Sequence, residues 1–144
     1  MKSLYPVNPM FFGDEKQVRE VYKLCNPGAV ARPPNWYFVH PTLVVVTDSI
    51  VVGFTSFTLT IIPGFGQTLY GMDMCVHPEY RGRGIAENLH KERLSVGHAA
   101  GARIFMGTTQ NDNRAMVKIL KKAGAHSCIP IGDDTLFVGP TKER

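Results

Sequence analysis

The chain has little that would staple, ligate or anchor it. Its three cysteines, Cys25, Cys75 and Cys128, are widely spaced, odd in number and without any CxxC spacing. They support neither a disulfide framework nor a zinc site, and each reads as a small buried hydrophobe. No apolar run is long enough, or free enough of polar breaks, to cross a bilayer, so no membrane partner is expected. Near the N-terminus Tyr5, Pro6, Asn8 and Pro9 interrupt what a signal peptide would need as an apolar core. These absences together point to a cytoplasmic protein. Basic residues never cluster, and aromatics are not interleaved with them. The net charge of +4 is therefore mild, and no nucleic-acid partner is expected. Repeats, low-complexity segments and linkers are also missing. With 144 residues, 44% hydrophobic and 19% charged, the chain reads as one soluble globular domain over 1–144.

What is present is a regular alternation of elements. Leu4 to Val7 reads as a short strand. Asp14 is a suitable N-cap for a helix whose stripe is Val18, Val21, Tyr22 and Cys25, ended by Asn26-Pro27-Gly28. Ala29 to Trp36, with Pro33-Pro34, reads as loop or a short helical turn. Val-rich Thr42 to Thr47 and β-branched Ile50 to Ile62 form a hairpin about Asp48-Ser49. Thr68 to Val76 is a further strand after the turn at Pro63 to Gly66. A helix over Ile85 to Ala100 has Ile85, Leu89, Val96 and Ala100 on one face and Leu94 on the opposite one. Arg103 to Thr108 is a strand. Asp112 is a good N-cap for a helix with the stripe Met116, Ile119, Leu120 and Ala123. Ser127 to Ile131 and Thr135 to Val138 close as a hairpin. A meander followed by β-α-β and α-β units predicts an α/β fold, with a mixed, mostly antiparallel central sheet and helices on both faces.

The segment carrying most chemistry is Val76-His77-Pro78-Glu79-Tyr80-Arg81-Gly82-Arg83-Gly84-Ile85-Ala86. It runs from strand end through a glycine-rich loop into a helix start. Such an arrangement aims backbone N–H groups and the positive end of a helix dipole at one spot, which suits a phosphate or pyrophosphate. Arg81 and Arg83 add charge there. A P-loop would need Lys-Ser or Lys-Thr after its glycines, and none follows. A dinucleotide fingerprint would need a third glycine where Glu87 stands, and an early βαβ unit that is lacking.

Arg81 to Ala86 matches the signature of the GNAT superfamily of N-acetyltransferases: Arg or Gln, two residues of any type, Gly, one more residue, then Gly or Ala. Val76 to Tyr80 resembles that family's lead-in. Asn111-Asp112-Asn113-Arg114-Ala115 resembles its second motif, and Lys122-Ala123-Gly124-Ala125 its helix-to-strand turn. The resemblance covers Thr42 to the C-terminus firmly and the first 40 residues loosely. It implies a GNAT-like fold and acetyl-CoA as co-substrate. The pyrophosphate would lie on the backbone of Arg81, Gly82, Arg83, Gly84, Ile85 and Ala86. The pantetheine arm would lie along Met74, Cys75 and Val76, with Asn113 near that arm. The implied activity is acetyl transfer to a primary amine, of a small molecule or a protein, by direct attack in a ternary complex.

The chain departs from the family where a helical Tyr protonates the leaving thiolate, since the matching residue is Leu120. A Glu that some members carry on the fifth strand is matched by Thr108. The candidate bases are Asp73, then Tyr70, with His77 a weaker third. Acceptor loops corresponding to Asn26–Trp36 and Pro63–Gln67 carry Trp36, Tyr37, Phe65 and Arg32 but few acids. That mix disfavours a polycationic acceptor and suits a small amine bearing a carboxylate, a protein N-terminus or a lysine. The resemblance leaves a homodimer open. The competing reading is a CoA-binding sensor or interaction module without turnover, which the residues at 120 and 108 would suit.

Overall fold

The computed structural model describes residues 5–142; Leu4, the start of the expected first strand, lies outside them. The elements in order are β1 (Val7–Pro9), a 3₁₀ turn (Phe12–Asp14), α1 (Glu15–Cys25), α2 (Trp36–Val39), β2 (Thr42–Thr47), β3 (Ile50–Ile62) and β4 (Gly66–Val76). A second 3₁₀ turn (Pro78–Tyr80), α3 (Ile85–Ala99), β5 (Ile104–Gln110), α4 (Arg114–Lys122), β6 (His126–Ile131) and β7 (Asp134–Pro140) follow. The β2–β3 hairpin has the expected bounds. Asp48 and Ser49 turn it with φ of 51° and 65°, the left-handed pair that matches strand twist in a two-residue loop.

The described residues fall into two compact units, one of 5–56 and 73–89, the other of 57–72 and 90–142. β3, β4 and α3 each contribute to both. In the first unit the strand order is β1-β2-β3-β4, and in the second β3-β4-β5-β7-β6. The β1·β2, β2·β3, β5·β7 and β6·β7 pairings are antiparallel, and β4·β5 is parallel. The sheet is therefore mixed and mostly antiparallel, as expected.

In the first unit the core gathers Val18 and Val21 of α1 with Tyr37, Val44, Val51, Phe54 and Cys75. Val51 and Phe54 are three apart, yet share that core. The register explains it: Val45 pairs with Gly53 but Val46 with Val51, so Val52 is the extra residue of a bulge that resets the alternation. Gly53 points the other way. A Cβ there would sit 2.8 Å from Ile85 Cγ2 and 3.3 Å from Leu89 Cδ1, so the start of α3 closes on the face opposite α1. Helices thus cover both faces of this part of the sheet.

In the second unit α3 continues against β4 and β5. Gly97 receives Leu69, and a Cβ on Gly71 would meet Arg93 Nη1 at 2.8 Å and Phe105 at 3.0 Å. The expected stripe of α3 needs correction here. Leu94 is buried along with Ile85, Leu89, His90 and Arg93, whereas Val96 is only half-buried and Ala100 exposed. The inward face is rotated because a histidine and an arginine occupy inward positions. Arg93 Nε donates to His90 Nδ1 at 2.9 Å, and both groups pack on the Phe105 ring, with separations of 4.9 Å and 5.0 Å. Burial, with the Arg93 charge adding to it, pushes the His90 pKa down to about 2. The α4 stripe holds, with Met116 and Leu120 buried.

Candidate active site

The glycine loop lies wholly within the first unit. Val76 ends β4, and His77 caps the next turn, its Nδ1 accepting from the Glu79 N–H at 3.1 Å. That bond gives His77 a local structural role. Arg81 is extended, with φ −69° and ψ 155°. Gly82 and Gly84 then take φ of 79° and 81°, a region L side chains enter only under strain. A Cβ built on either would meet nothing within 4 Å. The glycines are thus set by backbone conformation and by an open approach to the main chain. The first hydrogen bond of α3 runs from the Asn88 N–H to the Gly84 carbonyl at 3.0 Å, so the amides of Ile85 and Ala86 precede the bonded turns of that helix.

The two loop arginines differ. Arg83 lies over the Tyr80 ring at 4.7 Å and donates to Tyr5 Oη at 3.1 Å and to the Glu79 carbonyl at 3.4 Å. Arg81 turns back toward the strand. Its Nε donates to the Val76 carbonyl at 3.2 Å, and its Nη2 to Cys25 Sγ at 3.6 Å.

Asp73 lies on β4 and is 6% exposed. Arg32 Nη2 donates to its Oδ1 at 2.6 Å and Arg32 Nε to its Oδ2 at 3.3 Å. Ser56 Oγ donates to Oδ2 at 3.3 Å. Thr55 Oγ1 donates to the Asp73 main-chain carbonyl at 2.6 Å, fixing the strand beneath the carboxylate. Arg32 itself lies over the rings of Trp36 at 4.7 Å and Tyr22 at 5.4 Å. Nearby in the same unit, Trp36 Nε1 and the Tyr37 hydroxyl are buried without a hydrogen-bond partner. Burial, reinforced by the Asp73 charge, pushes the Tyr37 pKa up. The result is a carboxylate that accepts three hydrogen bonds, a guanidinium held between aromatic faces, and two polar groups on α2 with hydrogen-bonding capacity unused.

Tyr70, Asn113 and Leu120 belong to the second unit, whereas Met74 and Cys75 lie on β4 in the first. Tyr70 is half-buried on β4 and pairs in register with Met106. That parallel ladder covers only Thr68–Tyr70 against Ile104–Met106, while β5 continues to Gln110. Asn113, and not Asp112, is the N-cap of α4: its Oδ1 accepts from the Met116 N–H at 3.2 Å. Asp112 stands one residue too early, because the first helical turn begins at Arg114. Leu120 is 2% exposed.

The ion pair of Arg32 with Asp73 spans 41 positions, and no periodicity announces it; the only sequence sign was an arginine in a loop otherwise poor in charge. Cys25, which the sequence presents as a small buried hydrophobe, is only half-buried. Its thiol donates to the Val76 carbonyl at 3.3 Å and accepts from Arg81 Nη2 at 3.6 Å. The neighbouring Cys75 thiol and then the Arg81 guanidinium lower its pKa to about 6, against the opposing effect of burial. Among the described residues no group of acidic, histidine and cysteine side chains is placed to hold a metal ion. Nor is any helix there long and apolar enough to cross a membrane.

A mixed sheet with a glycine loop feeding a helix N-terminus is the arrangement expected of a GNAT-like fold. The family model described as Acetyltransferase (GNAT) family matches residues 8–125, and the chain belongs to that family. No curated protein matches it significantly. Among solved structures, Salmonella typhimurium yncA with its cofactor acetyl-CoA is 18% identical. The match covers 99% of this chain and 96% of that one, with a TM-score of 0.79. The NatC complex bound to Gag peptide and CoA is 16% identical, with coverage of 93% and 96% and a TM-score of 0.76. A ribosomal-protein-alanine N-acetyltransferase from Brucella melitensis is 14% identical, with coverage of 93% and 98% and a TM-score of 0.72. At such identities the likeness speaks for the fold.

Proposed function

We propose that this protein transfers an acetyl group from acetyl-CoA to a primary amine, on a small molecule or a protein, by direct attack in a ternary complex. The observation that carries the reading is the loop at Gly82 and Gly84, whose left-handed backbone leaves the main chain open to a ligand at the start of α3. A pyrophosphate suits it: amides of Arg81 to Ala86 would donate, the α3 dipole favours negative charge, and a Cβ at Gly82 or Gly84 would meet nothing within 4 Å. The backbone of Met74, Cys75 and Val76 would hold the pantetheine arm. A role for Asn113 beside that arm rests on the family resemblance. When bound, acetyl-CoA supplies an activated thioester whose thiol, of pKa ~8.5, is a fair leaving group unaided.

The chain's own residues would manage the acceptor. Asp73 already accepts three hydrogen bonds, and a carboxylate has about four acceptor sites. One site thus remains for an N–H of the attacking amine, while Arg32 and Ser56 hold the carboxylate still. In this reading Asp73 is the general base, with Tyr70 as the alternative. Backbone N–H groups near the end of β4 would stabilise the developing oxyanion. Polyamines and other polycations would meet Arg32 and gain little, so amines carrying a carboxylate, or protein amines, suit the site better.

The second reading, a CoA-binding module without turnover, is favoured by Leu120, an aliphatic side chain where many relatives keep a proton-donating Tyr. A thermal-shift titration with acetyl-CoA, beside Gly84→Asp, tests cofactor binding first. Saturation near 100 times Kd should add about 2.7 kcal/mol, or roughly 5–10 °C, and the variant should lack the shift. No shift at millimolar acetyl-CoA would overturn both readings. Acetylation within an amine library then separates enzyme from module. An unchanged pH–rate profile and kcat/KM in Asp73→Asn would remove Asp73 as base.

A further inference from the structure

We propose that Arg32 determines acceptor specificity, and that the acceptor is a free amino acid. Such a zwitterion would set its ammonium against Asp73 and its carboxylate against the unused edge of the Arg32 guanidinium. The proposal rests on the acetyl-transfer reading and adds no covalent step to it. It narrows the acceptor from primary amines in general to those with a carboxylate in the same small molecule.

An arginine carries five N–H donors in a planar fork. Arg32 uses one edge of that fork on Asp73, with Nη2 at 2.6 Å from Oδ1 and Nε at 3.3 Å from Oδ2. Among the described residues Nη1 donates to none. A second edge, Nη1 with the outer hydrogen of Nη2, is therefore open, and a carboxylate is the group that takes such an edge with two parallel bonds. The guanidinium is also within reach, since the Arg32 side chain keeps 32% of its surface exposed against 5% for Asp73. Its position is fixed beforehand. It lies 4.7 Å over the Trp36 ring and 5.4 Å over the Tyr22 ring. The Arg32 carbonyl accepts from Arg19 Nη1 at 2.8 Å and the Pro33 carbonyl from Arg19 Nη2 at 2.9 Å, while Arg19 pairs with Glu15 at 3.3 Å. The loop is thus strapped to α1, and less ordering is left for the ligand to impose.

Asp73 has the complementary need. Three of its acceptor positions are taken by Arg32 and Ser56, and the remaining one suits an N–H of an ammonium. A zwitterion brings one charge of each sign to this pair and leaves the total unchanged. A plain monoamine would instead add a second cation beside the guanidinium with nothing to balance it, and a polycation would add more. The N-terminal residue of a protein offers a neutral peptide carbonyl in place of the carboxylate, and a bond to the guanidinium with only one charged partner is the weaker one. Between Asn26 and Trp36 the only charged residue is Arg32, so that loop sets no acid against an incoming carboxylate.

The test uses the full chain with saturating CoA, so that binding is read without turnover. Thermal shifts are measured with the common α-amino acids, their carboxamides and their decarboxylated amines. At least one amino acid should raise Tm, and its carboxamide and decarboxylated amine should need roughly 10- to 100-fold higher concentration for the same shift. With acetyl-CoA in place of CoA, the same preference should appear in kcat/KM. In Arg32→Gln the amino acid should lose its advantage over its carboxamide, chiefly through KM, while the acetyl-CoA shift persists. Equal shifts from amino acid and carboxamide, a preference for the decarboxylated amines, or no shift from any amino acid would each overturn the proposal. So would a preference that survives in Arg32→Gln. The panel is read first on the unsubstituted chain, so a variant that fails to fold leaves the test intact. An absent acetyl-CoA shift would instead overturn the transfer reading, and this proposal with it.

Discussion

Cys25 owes its acidity to two neighbours, the Cys75 thiol and the Arg81 guanidinium, with burial working against them. Alkylation by iodoacetamide, followed by mass spectrometry of timed aliquots, should be half-maximal below the ~8.5 of an ordinary thiol. In Arg81→Gln the midpoint should move upward, since the cation that favours the thiolate is gone. A midpoint unchanged by that substitution would show that Arg81 has no hold on the sulfur. At this scale the sequence disclosed what depends on local chemistry. Gly82 and Gly84 were legible because a glycine pair before a helix start leaves few alternatives. The partners of Asp73 and Cys25 were not legible, because Arg32 and Cys75 reach them from distant segments and neither pairing repeats along the chain.

Helix α4 joins a capping role and a proposed ligand role in one residue. Asn113→Ala should cost about 0.5–2 kcal/mol of stability by leaving the first turn of α4 uncapped. Asn113→Ser restores a capping oxygen and should recover most of that loss in urea unfolding. If Asn113 also serves the cofactor, the serine variant should keep its stability yet bind acetyl-CoA more weakly; recovery of both would confine Asn113 to the cap. Helix α3 shows why a pattern of apolar residues can mislead. Its inward positions include His90 and Arg93, which a hydrophobic template scores as solvent-facing, so the template rotated the stripe toward Val96 and Ala100. Helix α2 escaped notice because four residues, Trp36–Val39, are too few to display a helical period.

Across the whole molecule, the order of elements and the mixed, mostly antiparallel sheet followed from the alternation of segments. The insertion of β7 between β5 and β6 did not, since a terminal hairpin reads alike whichever of its strands docks. The buried His90 gives the protein a pH dependence with a definite sign. Its pKa is held down to about 2 by burial and by Arg93, whereas the unfolded chain returns it to about 6.5. Unfolding therefore takes up a proton below pH 6.5. The stability from a neutral His90 is fully present above that value and drains away as pH falls toward 2. Between pH 6.5 and 5 the loss should be about 2 kcal/mol, seen as a lower urea midpoint, and His90→Asn should flatten the dependence. A different consequence follows from β6, which ends the strand order. Ile129 and Ile131 are each 53% exposed, and an outermost strand carrying such residues is a template for stacking one copy on the next. Pro130 stands between them and has no N–H to offer. With the register slip between Ser127 and Ile129, it breaks the regular row of donors that a second copy would need. The outer border of β6 is thereby a poor template for a second copy, although two isoleucines there touch water.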